Sequence, residues 1–192
     1  MTFGCHGALQ TSISVLCSRG ENLLVPKPSF PIVQTICNNL GVEIRYYDLI
    51  ADKGWEVNLD TVRSLIDKKT KAILVVNPSN PCSVVFSKEH QFEIINVAEQ
   101  YKVPLLCDEV YYGLVFPGQE FHSFANLSTT VPMICLNSLS KVYMVPGWRL
   151  GWIIVYNRHG YFDKVIDHLA KYQRIPYHPC SLIMYALPKI FK

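Results

Sequence analysis

Lys71-Ala-Ile-Leu-Val-Val76 is a continuous apolar run broken by Asn77-Pro-Ser-Asn80-Pro81, and Val103-Pro-Leu-Leu-Cys107 is a second run that ends on Asp108-Glu109. Between them Ser87 is placed to cap a helix reaching about Lys102. Neither run alternates apolar with polar residues, so both faces of each strand must be covered, as in a parallel sheet between helical layers. Strand, crossover helix and second buried strand make one βαβ unit, and the rest of the chain is read from it.

Upstream the alternation repeats. Leu9, Ile13 and Leu16 recur at helical spacing after the small-residue start Gly4-Cys-His-Gly7-Ala8, so a loop feeds a helix ending near Gly20. Asn22-Leu-Leu-Val25 reads as a strand closed by Pro26 and Pro28, and residues 30–40 as a helix stopped by Gly41. Residues 42–49 make the next strand, and Asn58 is set to cap a helix with Leu59, Val62, Leu65 and Ile66 on one face. Downstream, Met133-Ile-Cys-Leu136 and residues 148–156 are further strands, and Phe162, Val165, Ile166, Leu169 and Tyr172 mark the inner face of a closing helix. The class expected is α/β, a mainly parallel sheet sandwiched by helices, as one domain over residues 1–192.

The 192 residues are 49% hydrophobic, enough for one substantial core. The net charge of +3 comes from dispersed lysines and arginines, so neither nucleic acid nor an anionic membrane is implied as a partner. The aliphatic run Ala72 to Val76 is far too short to span a bilayer. The first residues show no charged stretch followed by an apolar leader, and the expected location is cytoplasmic. Seven scattered cysteines, an odd number, suggest reduced thiols; six histidines without metal-ligand spacing predict no metal.

In an open α/β sheet, ligands bind outside the carboxyl ends of the strands. Asn80, Asp108 and Lys141 each stand at or just past such an end, so a parallel sheet brings all three to one edge. Lys141 closes Asn137-Ser-Leu-Ser-Lys141 behind an apolar strand, and an amine at the rim of an apolar core is disfavoured in its charged form, the condition for Schiff-base chemistry. Gly4-Cys5-His6-Gly7 ahead of a helix offers free N–H groups and a positive dipole end to a phosphate, and Arg149 can add a bidentate grip. The spacing is neither GxGxxG nor GxxxxGK[ST], so dinucleotide and P-loop readings lose their main support. Taken singly, each residue also has a plainer reading. Lys141 can be a solvated strand-end lysine, Asp108 a turn cap, Asn80 an Asx-turn residue, Ser138 a partner of local backbone and Arg149 a brace for its own turn. A site is indicated because all of them coincide at one sheet edge.

Five motifs, VPKPSF (25–30), NPSNPC (77–82), CDEVYYG (107–113), SLSK (138–141) and VPGWRLGW (145–152), add a resemblance. In order and spacing the chain is similar to the large, cofactor-binding domain of fold-type I, pyridoxal-phosphate-dependent class I aminotransferases, most of all their tyrosine aminotransferase branch. The resemblance covers nearly all 192 residues. It implies pyridoxal 5'-phosphate as cofactor and three catalytic residues, Lys141, Asp108 and Tyr111. Lys141 would form the Schiff base and later move a proton between the substrate's α-carbon and the cofactor. Asp108 would pair with the pyridinium nitrogen, which keeps the ring an electron sink. Asn80 and Tyr111 would bond the ring's phenolic oxygen, Phe30 would stack on the ring, and Ser138, Arg149 and the backbone of Gly4, Cys5 and His6 would bind the phosphate.

The implied reaction is transamination of an aromatic amino acid, tyrosine, with a 2-oxo acid acceptor, in a family whose full-length members are homodimers. A C–S lyase of the same fold, or a non-catalytic cofactor-binding remnant or dimerisation module, stays open beside it. The chain departs from the family pattern at Ser83, where glycine is usual and a turn needing positive φ would be strained. Val142 and Tyr143 replace a basic–aromatic pair that often follows the lysine in the tyrosine-specific branch, and Phe3 replaces a small residue. The family's N-terminal segment and its C-terminal small domain, with the arginine that grips the substrate's α-carboxylate, are expected to lie outside these residues. Apolar surface should then be exposed.

Overall fold

In the computed structural model, which describes residues 1–172 and 178–190, much of the expected punctuation sets element ends. The Asn58 side chain accepts from the N–H groups of Asp60 and Thr61, starting helix α3 (Leu59–Leu65), and Ser87 accepts from His90 N–H to start α4 (Lys88–Tyr101). Gly41, in the left-handed conformation, ends α2 (Ile32–Leu40). The other helices are α1 (Gly4–Leu16), α5 (Phe124–Leu127), α6 (Leu139–Val142), α7 (Asp163–Tyr172) and α8 (Ser181–Ile190).

The strands are β1 (Thr2–Phe3), β2 (Asn22–Lys27), β3 (Glu43–Ile50), β4 (Glu56–Val57), β5 (Thr70–Val76), β6 (Leu105–Asp108), β7 (Met133–Ser138) and β8 (Leu150–Tyr156). They form one sheet in the order β1-β8-β7-β6-β5-β2-β3-β4. The five central strands, β7-β6-β5-β2-β3, are parallel, while β1, β4 and β8 pair antiparallel with their neighbours. The mainly parallel α/β sandwich read from the sequence is therefore the fold. The strand at residues 148–156 begins at Leu150 and runs antiparallel, a direction its sequence does not encode. The link from Ser138 to Leu150 turns back at one edge of the sheet instead of crossing it, so the next strand has to run the other way.

Alternate residues of each central strand feed two separate cores. Leu24, Ile73, Val75, Leu105, Cys107, Met133 and Cys135 pack on one face with Val62 of α3, Ile94 of α4 and Phe124 of α5. Leu23, Val25, Leu74, Leu106, Ile134 and Leu136 pack on the other with Ala8 and Ile13 of α1, Val33 and Ile36 of α2, and Phe162. This burial on both faces is why the strands read as unbroken apolar runs. All seven cysteines are free. No described helix is long and apolar enough to cross a membrane.

The sheet order also sets the site. From β2 the chain adds β3 and β4 on one side and, after returning, β5 to β8 on the other, so the topology reverses between β2 and β5. A crevice outside the carboxyl ends of the strands forms at such a reversal.

Candidate functional site

Parallel register puts Val76, Asp108 and Leu136 side by side across β5, β6 and β7, so the residues that follow these strand ends share one edge of the sheet. There a cavity of about 300 Å³ is lined by Cys5, His6, Phe30, Asn80, Asp108, Tyr111, Ser138, Lys141 and Arg149, among others. Nine of the ten sequence-expected site residues thus meet around one space. The tenth, Gly4, lies behind Arg149: a Cβ there would overlap the guanidinium, and its φ of 70° suits glycine.

Asp108 ends β6. Its Oδ1 accepts from Val110 N–H at 3.2 Å and from the Cys5 thiol at 3.4 Å. Burial pushes its carboxyl above the usual carboxylate range, and those two donors pull it back. Burial, reinforced by the charge of Asp108, pushes the Cys5 thiol well above its ordinary range, so it stays an S–H donor. The loop after β5 is fastened at Asn77, whose N–H donates to Asp108 O at 3.1 Å and whose Oδ1 accepts from Phe86 N–H at 2.9 Å. That loop presents Asn80, whose Nδ2 donates to Tyr111 OH at 3.4 Å.

Ser138 ends β7, is fully buried, and its Oγ accepts from Ser140 N–H at 3.3 Å to cap α6. This short helix turns Leu139 and Ser140 inward and leaves Lys141 exposed. The enclosure expected around that amine is absent from this chain's own described surface. Its ammonium lies 5.5 Å from the Tyr111 ring centroid, within cation–π range.

The anion end of the cavity is the first turn of α1. The expected Gly4–Gly7 loop is itself helical, with β1 immediately before it, so the N–H groups of Gly4, Cys5 and His6 belong to a helix N-terminus. Arg149 follows a 3₁₀ turn at Pro146–Trp148 and takes a φ of 49°. Its guanidinium donates to Pro146 O at 3.0 Å and Phe3 O at 3.4 Å and lies 5.2 Å from the Phe3 ring centroid. Phe30, in the loop after β2, is 52% exposed and so free to cover a ligand.

Two contributors escaped the sequence reading. The Cys5 side chain reaches Asp108 across 103 positions, which no local pattern encodes. Glu109 is 5% exposed, and the acidic pair following an apolar strand was the signal for it. Among the described residues, no group of three or more His, Cys, Asp or Glu is poised to hold a metal.

Carboxylate, amine and guanidinium gathered at the strand ends of an open α/β sheet, with a helix N-terminus beside them, define an α/β domain with a site suited to a small anionic ligand. The chain belongs to the aminotransferase class I and II family, whose model matches residues 1–191. It is 40% identical to mouse tyrosine aminotransferase over a 193-residue alignment that takes in all of this chain and 42% of that protein. It is 41% identical to the Dictyostelium discoideum tyrosine aminotransferase, over 97% of this chain and 45% of that one. In structure it is similar to the Leishmania infantum tyrosine aminotransferase, with a TM-score of 0.95 and 34% identity over 98% of this chain and 51% of that chain. Alanine aminotransferase from Pyrococcus furiosus follows with a TM-score of 0.88 and 34% identity, over 93% and 45% of the two chains. The chain therefore spans about half the length of the relatives it matches.

Proposed function

We propose that this chain binds pyridoxal 5'-phosphate in the cavity at the ends of β5, β6 and β7 and that the protein transaminates an aromatic amino acid, tyrosine, with a 2-oxo acid acceptor. One observation carries the reading. Asp108, Tyr111 and Lys141 line one cavity with Arg149 and the α1 N-terminus, so an acid, an amine and an anion cradle face a single ligand. The chemistry of the donor set fits the cofactor. Among the described residues no carboxylate forms an ion pair with Arg149 or Lys141, so both cations are available to a ligand. Family membership and the names of the tyrosine aminotransferase relatives support the reaction class and the substrate.

When bound, the cofactor supplies an electron sink for charge developing at the substrate's α-carbon. Each residue has a distinct task. Lys141 would supply the amine that holds the cofactor, and its Nζ would carry the proton removed from the substrate. Tyr111 positions that Nζ against its ring face, at a gain of about 0.5–1 kcal/mol. The Asn80 amide, bonded to Tyr111 OH, orients the phenol toward the ring oxygen. Asp108, its Oδ1 held by Val110 and Cys5, would hold the ring nitrogen of the cofactor by charge. Arg149 and the first turn of α1 fix the phosphate, and Phe30 shields the ring from water. The free cysteines fit a reducing, cytoplasmic setting, and the whole protein is a homodimer in this reading, as the resemblance to the family implies.

The test is reconstitution with pyridoxal 5'-phosphate followed by borohydride. The expected result is an absorbance band that borohydride traps on Lys141 and that Lys141→Ala abolishes. No trappable band in the unaltered chain would overturn the cofactor assignment. Tyrosine-dependent glutamate formation from 2-oxoglutarate tests the reaction separately.

A further inference from the structure

We infer that Glu109 is the positioning residue for the site, tying the segment that follows β6 down at both ends and so holding Asp108 and Tyr111 toward the cavity. What the two held groups do rests on the proposed cofactor reading; the tie itself does not.

The geometry is that of a hub. The main-chain N–H of Glu109 donates to Leu136 O of β7 at 3.0 Å, and its carbonyl accepts from Tyr112 N–H at 2.9 Å, closing the turn that carries Tyr111. The side chain points the other way. Ser123 Oγ lies 2.9 Å from both carboxylate oxygens and shares its one proton between them, and Oε1 also accepts from Phe124 N–H at 3.0 Å at the start of α5. One residue thus joins Tyr112, near the start of segment 110–122, and Ser123 and Phe124, just past its end, to the strand end.

Two contacts transmit the tie. Val110 N–H donates to Asp108 Oδ1, and Tyr111 OH accepts from Asn80, so a shift of the segment moves both groups. Glu109 is 5% exposed, and neither hydrogen-bond partner of its side chain lines the cavity. A buried carboxylate beside Asp108 is costly, and the donors Ser123 Oγ and Phe124 N–H offset that cost only while the segment's far end stays against it. Between its tied ends the segment is open, with Leu114 46% and Phe116 69% exposed, so its local order depends on the ends.

The test compares Glu109→Ala, Glu109→Gln and Ser123→Ala in the full chain, with circular dichroism as the control for folding. The first readout is chymotrypsin cleavage at Leu114 and Phe116 without cofactor, followed by mass spectrometry. Loss of charged hydrogen bonds should speed cleavage about tenfold in Glu109→Ala, with Glu109→Gln within about threefold of the unaltered chain because glutamine keeps an acceptor for Phe124 N–H. The second readout is the affinity for pyridoxal 5'-phosphate, expected to fall about tenfold in Glu109→Ala and to recover in Glu109→Gln. Unchanged cleavage and affinity in a folded Glu109→Ala, or a glutamine variant as impaired as the alanine one, overturns the inference. Where Glu109→Ala does not fold, Ser123→Ala decides, with faster cleavage supporting the tie and unchanged cleavage overturning it. If the unaltered chain fails to bind the cofactor, the functional reading fails and cleavage alone judges Glu109.

Discussion

Ser83 holds a φ of 56° in the loop that delivers Asn80, a conformation that strains a side chain bearing a Cβ. Its N–H donates to Ser79 O at 3.0 Å, so the turn is closed around the strained residue. Ser83→Gly removes the Cβ conflict and adds some freedom to the unfolded chain, leaving a net gain of about 0.5–1 kcal/mol. A thermal melt should rise by about 2 °C, and a lower midpoint would show that the turn is not strained.

Glu109 gives a second residue-scale prediction, through pH. Burial, together with the charge of Asp108, pushes its carboxyl up to about 7, against bonds from Ser123 and Phe124 that favour the charged form. Cys107 and Tyr156 are the other titratable groups that sense its charge. Because the folded value lies above the unfolded one, this stabilisation is fully present below about pH 4.5 and is lost as pH rises to about 7. The loss is about 3 kcal/mol. Glu109→Gln should remove that slope, so the stability difference between variant and unaltered chain should change across pH 4.5–7 in denaturant titrations; a pH-independent difference would refute the assignment.

At the scale of elements, the contact between α1 and β8 decides whether the anion cradle and Arg149 meet. A Cβ at Gly151 would sit 2.6 Å from the Gly4 carbonyl oxygen and 2.8 Å from the Cys5 nitrogen, both backbone atoms that cannot yield cheaply. Gly151→Ala therefore pushes the first turn of α1 off the strand, at a cost of about 1–3 kcal/mol. Urea unfolding should show that loss, and phosphate-bearing ligands should bind more weakly; a variant as stable as the unaltered chain would place the contact elsewhere. The position is glycine because two main chains cross there.

Across the whole molecule, the two cores are closed but parts of the surface are not. Leu182 and Tyr185 of α8 are 77% and 78% exposed, and α8 buries none of its residues. Apolar side chains in such numbers on one helix favour association. The isolated chain should self-associate with rising concentration in light scattering, and a Leu182→Lys, Tyr185→Lys double variant should reduce this without altering the melting temperature. Equal scattering from both would move the sticky surface to another part of the molecule.

Local chemistry was legible from the residues alone. Caps at Asn58 and Ser87, the stop at Gly41 and the unbroken apolar strands follow from hydrogen-bonding groups and burial periods within a few positions of each other. Because those strands are parallel, the sequence also determined that Asn80, Asp108 and Lys141 share an edge. Elements of two to four residues, such as β1, β4, α5 and α6, carry no period to read. Only the tertiary structure decided that β8 runs antiparallel, that Lys141 stands exposed against Tyr111, that the Cys5 thiol holds Asp108, and that Glu109 reaches Ser123. The physical reason is common to all four. Each depends on where the backbone returns in space, and hydrophobic periodicity fixes which face a residue takes but not which distant group it meets.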